Sequence, residues 1–200
     1  MKGFTLWFTG LPCSGKSTLA KHVEEILLER GVPVEVLDGD EVRENLSKGL
    51  GYSKEDRDIN IRRIGWVCKL LSRNGVVAIA AAIAPYQEIR DEVRRWHDRY
   101  VEVYLKASIE SLKERDVKGM YKQALAGKIK NFTGISDPYE EPENPEVLLE
   151  TDQETVEESV NKIIRTLELL EYIPTAETET EYSADEEEKI KTRLKDLGYI

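Results

Sequence analysis

The chain has 200 residues, is 40% hydrophobic with three Trp, and carries a formal net charge of −10. That content buries one good core, fits one domain better than two and argues against a disordered chain, while the acidic balance argues against a general nucleic-acid or anionic-membrane surface, which needs a basic footprint. Cys13, Cys68, His22 and His97 are too few and too scattered for a disulfide framework, a zinc site or an iron–sulfur site; the longest apolar run, 76–85, is too short for a bilayer, and MKGFTLWFTG lacks a leader pattern, so a cytoplasmic protein is expected.

In chain order, 4–9 is a short β-rich run that ends in a Gly-rich turn, and 17–30 follows with Leu19, Val23, Ile26 and Leu27 at helical spacing. Gly31 stops that helix, 34–37 form a second strand, and DGDEVRENL opens another helix with acids at its start. In 59–72, Ile61, Ile64, Val67, Cys68 and Leu71 keep helical spacing; Asn74-Gly75 ends the helix, and VVAIAAAIA reads as a strand buried on both faces. A helix at 88–96, a strand at 101–105, a helix at 109–116, a last strand at 147–149 and a long amphipathic helix at 155–170 complete the pattern. Strands alternating with helices predict an α/β fold: a parallel sheet built from right-handed crossovers, with helices on both faces. Residues 173–200 read as an acidic linker and a short C-terminal helix at 183–197, with Ile190, Leu194 and Leu197 in register, and a solvated tail is the favoured reading.

The stretch GLPCSGKST places Gly10, Gly15, Lys16 and Ser17 in the G-x-x-x-x-G-K-[ST] spacing, directly after a strand and directly before a helix. Glycines let successive N–H groups wrap around phosphate oxygens, and the helix N-terminus adds partial positive charge. Lys16 is then a point charge on the β- and γ-phosphates and the Ser17 hydroxyl a Mg²⁺ ligand, with Thr18 adding a contact to the α-phosphate. A plain Gly-rich turn is the bland alternative, which pattern and context together disfavour. A regulatory GTPase needs an N-K-x-D motif that is absent, and a nucleic-acid translocase needs a second core, so a small-molecule kinase remains.

Ligands of α/β sheets sit outside the carboxyl ends of the strands, so Asp38 and Asp40 in LDGDEVR are expected to face the phosphate loop. One carboxylate can orient or deprotonate an attacking hydroxyl, and either can help hold Mg²⁺; a helix cap with first-turn charge is the plainer reading. Arg43 lies one turn beyond Asp40, and Arg57, Asn60 and Arg63 fall three apart on one face, a row of donors suited to an anion or, more simply, to an ion-pair network on the helix surface.

GLPCSGKST, LDGDEVR, GYSKEDRDINIRRIG, APYQEIRDEVR and KGMYKQALAGKIKNFTGISDPYEEPENPE together resemble the adenylylsulfate kinase family, over about 4–170. The resemblance implies a P-loop kinase with a substrate lid (domain 1–172, lid about 118–143), commonly a homodimer, using ATP and Mg²⁺ to phosphorylate the ribose 3′-hydroxyl of adenosine 5′-phosphosulfate. It implies that Gly10, Cys13, Ser14, Gly15, Lys16, Ser17 and Thr18 hold ATP, that Arg115 packs on its adenine, and that Lys16, Asp40 and Asp38 are catalytic, Asp40 orienting the hydroxyl. It places Asp38, Asp40, Arg43, Tyr52, Arg57, Asn60, Ile83, Ala84, Lys118 and Phe132 around the acceptor, with Tyr52 and Phe132 stacking on either face of its adenine. The family typically reads I-S-P-Y where this chain has Ile83-Ala84-Pro85-Tyr86; Ala84 cannot carry phosphate, so direct in-line transfer is implied if the chain is active. A kinase for another nucleoside or alcohol, or a silent nucleotide-binding subunit of a sulfate-activating complex, are the alternatives.

The segment 128–146 has three prolines and no apolar period, and aperiodic loops longer than about 12–15 residues are uncommon unless they work as lids or linkers. Lys128, Lys130 and Phe132 give it a basic, aromatic face, so a mobile lid is expected rather than disorder.

Overall fold

The computed structural model describes residues 2–175 and 184–200. Its centre is a five-stranded, all-parallel sheet of β1 (Thr5–Gly10), β2 (Val34–Asp38), β3 (Val77–Ala81), β4 (Tyr100–Lys106) and β5 (Val147–Glu150), in the order β2-β3-β1-β4-β5. β1 lies in the middle and is buried along its whole length, which is why its sequence is apolar without alternation. The helices are α1 (Lys16–Glu29), α2 (Gly39–Asn45), α3 (Lys54–Arg73), α4 (Gln87–Arg94), α5 (Ile109–Glu114), α6 (Met120–Leu125), α7 (Val156–Leu169) and α8 (Ala184–Asp196).

One core layer joins α1 and α7 to the sheet through Leu19, Val23, Leu27, Ile163 and Leu167; the other joins α3 and α4 through Ile61, Ile64, Cys68, Ile89 and Val93. Each such Leu or Ile contributes about 1.5–3 kcal/mol by leaving water. Gly65 lets α4 approach, since a Cβ there would lie 2.7 Å from Val93 Cγ1. These layers fix the sheet, and the loops at its carboxyl edge carry the site.

Four differences from the sequence expectation have local causes. α3 starts at Lys54 rather than 59, because Ser53 accepts from the Asp56 N–H at 3.1 Å and caps a turn that precedes the first apolar residue. β3 stops at Ala81 although the apolar run continues, because Ala84 turns into the left-handed region (φ 45°). The expected lid contains a helix, α6, begun by Gly119 at φ 64° and capped by Asp116, which accepts from the Met120 and Tyr121 N–H groups at 2.8 and 2.7 Å. α8 is docked rather than a solvated tail: Leu194 is fully buried, and Arg193 Nε donates to the Pro145 carbonyl at 2.6 Å. Residues 176–183 of the expected acidic linker lie outside the described residues.

Candidate active site

The phosphate loop runs from Gly10, at the end of β1, into α1. Gly10 (φ 147°) passes so close to β4 that a Cβ would sit 2.6 Å from the Leu105 carbonyl, and Gly15 (φ 96°) turns the chain into the helix. α1 has no side-chain cap, so the N–H groups of its first turn remain free to meet an anion. Lys16 Nζ folds back to donate to the Gly10 and Leu11 carbonyls at 2.9 and 2.7 Å and to Ser14 Oγ at 3.3 Å. Burial lowers its pKa to about 8, against the pull of Cys13, Asp38 and Asp40. Ser14 is buried, while Ser17 and Thr18 are exposed on the first turn of α1. Cys13 takes a left-handed conformation (φ 62°), and burial followed by Asp116 raises its thiol pKa, which suits a small loop residue rather than a reactive one.

The carboxylates of LDGDEVR do face this loop. Ser17 Oγ donates to Asp38 Oδ2 at 2.5 Å, and Asp38 Oδ1 accepts from the Asp40 N–H at 2.9 Å. Asp38 is therefore both the cap of α2 and a hydrogen-bond partner of the phosphate loop. Asp40 is exposed and pairs with Lys118 Nζ at 2.8 Å across the mouth of the site; this hydrogen bond raises the Lys118 pKa. Ser17 and Asp38 offer hard oxygens at adjacent points, a donor set that fits Mg²⁺ completed by phosphates and water. Among the described residues there is no His/Cys/Asp/Glu cluster that could hold a metal by itself.

α6 is fastened to the phosphate loop. Tyr121 is buried and its hydroxyl donates to the Pro12 carbonyl at 3.1 Å, while Leu112, Tyr121, Ala124 and Phe132 form a small third core on which Leu11 and Cys13 pack. Arg115, on the exposed rim, donates from Nη2 to the Thr151 carbonyl at 2.6 Å. Phe132, expected to be one of two stacking rings, is 7% exposed and meets Tyr121 edge-on at 5.0 Å. Its intended partner Tyr52 is 61% exposed, with the Arg43 guanidinium 4.7 Å from its ring. Arg43 itself donates to the Gly51 carbonyl at 2.7 Å, so it braces the loop that carries Tyr52.

The expected row of three donors on α3 does not form. Arg57 and Asn60 are each 6% exposed, but Arg63 is exposed and donates to the Leu46 carbonyl at 3.0 Å. Arg57 gives Nε to the Tyr52 carbonyl (3.0 Å), Nη1 to Thr133 Oγ1 (2.8 Å) and Nη2 to the Asn131 carbonyl (2.5 Å), with Asp137 at 3.6 Å. A guanidinium has five N–H groups, so most of this one is committed to holding the lid base against α3. Asn60 Oδ1 is buried with no hydrogen-bond partner among the described residues, and an orphaned buried acceptor calls for an occupant.

Several positioning residues were not among the site residues expected from the sequence. Thr9 donates to the Ile83 carbonyl at 2.5 Å and shares a hydrogen bond with Tyr139 at 2.9 Å; Tyr86 donates to Asp137 at 2.9 Å; Arg90 donates to the Ala84 and Glu140 carbonyls at 2.7 and 2.6 Å. Ile83 and Ala84 are thereby fixed against residues 137–140, so this part of the expected lid is a wall. The available signal was weak: aromatic and acidic residues beside prolines in a stretch without period.

The profile of the Adenylylsulphate kinase family matches residues 2–150. An adenylyl-sulfate kinase of Rippkaea orientalis is 58% identical over 172 residues, 86% of this chain and 95% of that one. A probable bifunctional SAT/APS kinase of Sorangium cellulosum is 62% identical over 174 residues; these are 87% of this chain, which spans 30% of that relative's length. Among solved structures, the Mycobacterium tuberculosis APS kinase CysC in complex with AMPPNP and APS superposes with a TM-score of 0.80 at 41% identity, covering 84% of this chain and 98% of that one. A phosphate loop opposed by two carboxylates on the α2 turn and walled by residues 131–140 thus comes with close sequence likeness over most of the chain, and the protein belongs to the adenylylsulphate kinase family.

Proposed function

We propose that the protein transfers the γ-phosphate of ATP to the ribose 3′-hydroxyl of adenosine 5′-phosphosulfate (APS), giving ADP and 3′-phosphoadenylylsulfate. The observation that carries this reading is the Ser17–Asp38 contact, which brings the acceptor-side carboxylates onto the phosphate loop within a chain of this family.

In the reaction, the N–H groups from Cys13 to Thr18 cradle the phosphates, with Gly10 and Ser14 shaping the loop, and Lys16 leaves its carbonyl partners to meet the β- and γ-oxygens. Arg115 lies against the ATP adenine. Asp40, released from Lys118, orients the attacking hydroxyl, and Lys118 is freed toward the anionic acceptor. Ser17 and Asp38 would hold Mg²⁺, which when bound neutralises charge on the β- and γ-phosphates. On the acceptor side, Tyr52 and Phe132 take the adenine, Phe132 turning out of its edge-on contact with Tyr121 to do so, a contact worth about 1–3 kcal/mol per stacked base. Arg57, Asn60, Arg43 and the backbone of Ile83 and Ala84 line the rest. The segment around α6, held on the phosphate loop by Tyr121, shuts out water that competes for the γ-phosphate. Because Ala84 has no hydroxyl, transfer is direct, and positioning with charge stabilisation suffices for it.

A cytoplasmic homodimer belongs to the same reading. Trp66, 51% exposed on α3, leaves apolar surface for a second copy, and among the described residues no helix is long and apolar enough to cross a membrane. Coupled ADP release with MgATP and a panel of acceptors tests the substrate. APS alone should support turnover; equal rates with other nucleosides would reassign the acceptor, and ATP binding without ADP release would make the chain a silent nucleotide-binding subunit.

A further inference from the structure

Four charged side chains outside the proposed reaction are packed together beneath α4. Arg90, Glu102 and Glu146 are 2%, 3% and 3% exposed, and Arg94 joins them. Arg94 donates to both carboxylate oxygens of Glu146 at 2.5 and 3.0 Å and to Glu102 Oε2 at 3.3 Å. The Glu102 N–H donates to Glu146 Oε2 at 2.6 Å, and Arg90 Nε lies 3.3 Å from Glu102 Oε1. Burying charge in this way is a poor route to stability, because the desolvation penalty rivals the attraction. What the chain of ion pairs connects is more telling.

At one end, Arg90 Nη1 donates to the Ala84 carbonyl and Nη2 to the Glu140 carbonyl, at 2.7 and 2.6 Å. Ala84 sits at φ 45°, a conformation an L-residue holds only when its surroundings enforce it. At the other end, Gly198 (φ 79°) turns the chain after α8 so that the Tyr199 hydroxyl donates to Glu146 Oε1 at 2.7 Å. Buried Leu194 and the Arg193–Pro145 hydrogen bond fix α8 beside it.

We propose that Arg90 is a positioning residue for the acceptor loop, and that the C-terminal segment, through Tyr199 on Glu146, seats the ion-pair chain that holds Arg90. The inference rests on the acceptor reading above, which places Ile83 and Ala84 against APS. The C-terminal segment then sets how well the loop is preformed without touching either substrate.

The test compares Arg90→Gln, Arg90→Lys and Tyr199→Phe with the wild type in the full chain. It reads KM for ATP and APS, melting temperature, and hydrogen exchange of 83–87 and 138–141 without ligand. Arg90→Gln should raise KM for APS about tenfold, the scale of one lost hydrogen bond to a charged group, with KM for ATP unchanged. Arg90→Lys keeps the pair with Glu102 but cannot reach both carbonyls, so it should fall in between. Tyr199→Phe should shift KM for APS in the same direction by about two- to threefold and speed exchange at 83–87. A lower melting temperature with wild-type KM for APS and wild-type exchange in these variants overturns the proposal; if Arg90→Gln does not fold, Arg90→Lys and Tyr199→Phe decide. Should the wild type fail to use APS, the fault lies with the acceptor reading, and the ligand-free exchange still decides whether Arg90 and Tyr199 hold the loop.

Discussion

The two halves of the site are built in opposite ways. The phosphate end is local: nine consecutive residues, 10–18, make the turn, supply the lysine and begin the helix, and Lys16 even satisfies itself on carbonyls of its own loop. The acceptor end is assembled from β1, α3, the turn after β3, α4 and residues 131–140, joined by Arg57, Thr9, Tyr86 and Arg90 across 51 to 130 positions of sequence in the case of the hydrogen bonds to Thr133, Tyr139 and Asp137. A local motif survives anything that leaves its strand and helix in place. A distributed wall depends on every bond that aligns its pieces.

The largest effect expected from this contrast is a chemical defect without a structural one. Lys16→Ala should lower kcat by about 10²–10³-fold or more, as loss of a preorganised charge at the transferring group does, with the melting temperature nearly unchanged. Asp40→Asn should cost about 10²-fold in turnover, the lower range for loss of a positioned base, while ATP affinity measured by calorimetry stays the same. A wild-type rate in either variant would remove the residue from its assigned role.

On the acceptor side the same size of lesion should be felt as instability. Thr133→Val leaves the buried Arg57 guanidinium one partner short and should cost about 1–3 kcal/mol in denaturant unfolding, with a weaker grip on APS and an unaltered one on ATP. Equal damage to both substrates would mean that the two halves are not separable.

A milder expectation concerns pH. Burial lowers the Lys16 pKa to about 8 in the free protein, whereas phosphate favours the ammonium. The sign follows directly: below pH 8 Lys16 already carries its proton, and above it ATP must bind together with a proton, so affinity should fall as pH rises through 8. Calorimetry in buffers of different ionisation enthalpy should show proton uptake above pH 8 and little below; no uptake at pH 9 would place the lysine pKa elsewhere. The smallest change is expected for Tyr52→Phe, which keeps the exposed ring under Arg43 and should alter KM for APS by less than about twofold, while Tyr52→Ala loses about 1–3 kcal/mol of stacking.

What the sequence made legible follows the same division. The alternation of strands and helices, the phosphate loop and the Asp38 turn were readable because period, glycine spacing and a cap are properties of neighbouring residues. Ser53 shows the limit of periodicity: its cap extends α3 by a turn and a half that carries no apolar signal. Arg63 shows the limit of helical spacing, since three donors in register are not three donors in one place when a nearer carbonyl, that of Leu46, takes one of them. The roles of Thr9, Arg90 and Tyr139 were not legible, even where the residue lies in a block of family resemblance, because Thr9 and Arg90 bond backbone and Tyr139 bonds Thr9 across segments that only the fold brings near. The prolines of 128–146 correctly excluded a core element, but they did not reveal that half of the segment is a fixed wall.

The central claim is that ATP on the phosphate loop gives its γ-phosphate straight to APS, with no carrier at position 84. Rapid quenching of the enzyme with γ-labelled ATP and APS tests this within the first turnover. The account predicts that label moves from ATP to 3′-phosphoadenylylsulfate in step with ADP formation, with no labelled protein at any time; protein-bound label that rises before the product, or ADP formed without it, would contradict the account.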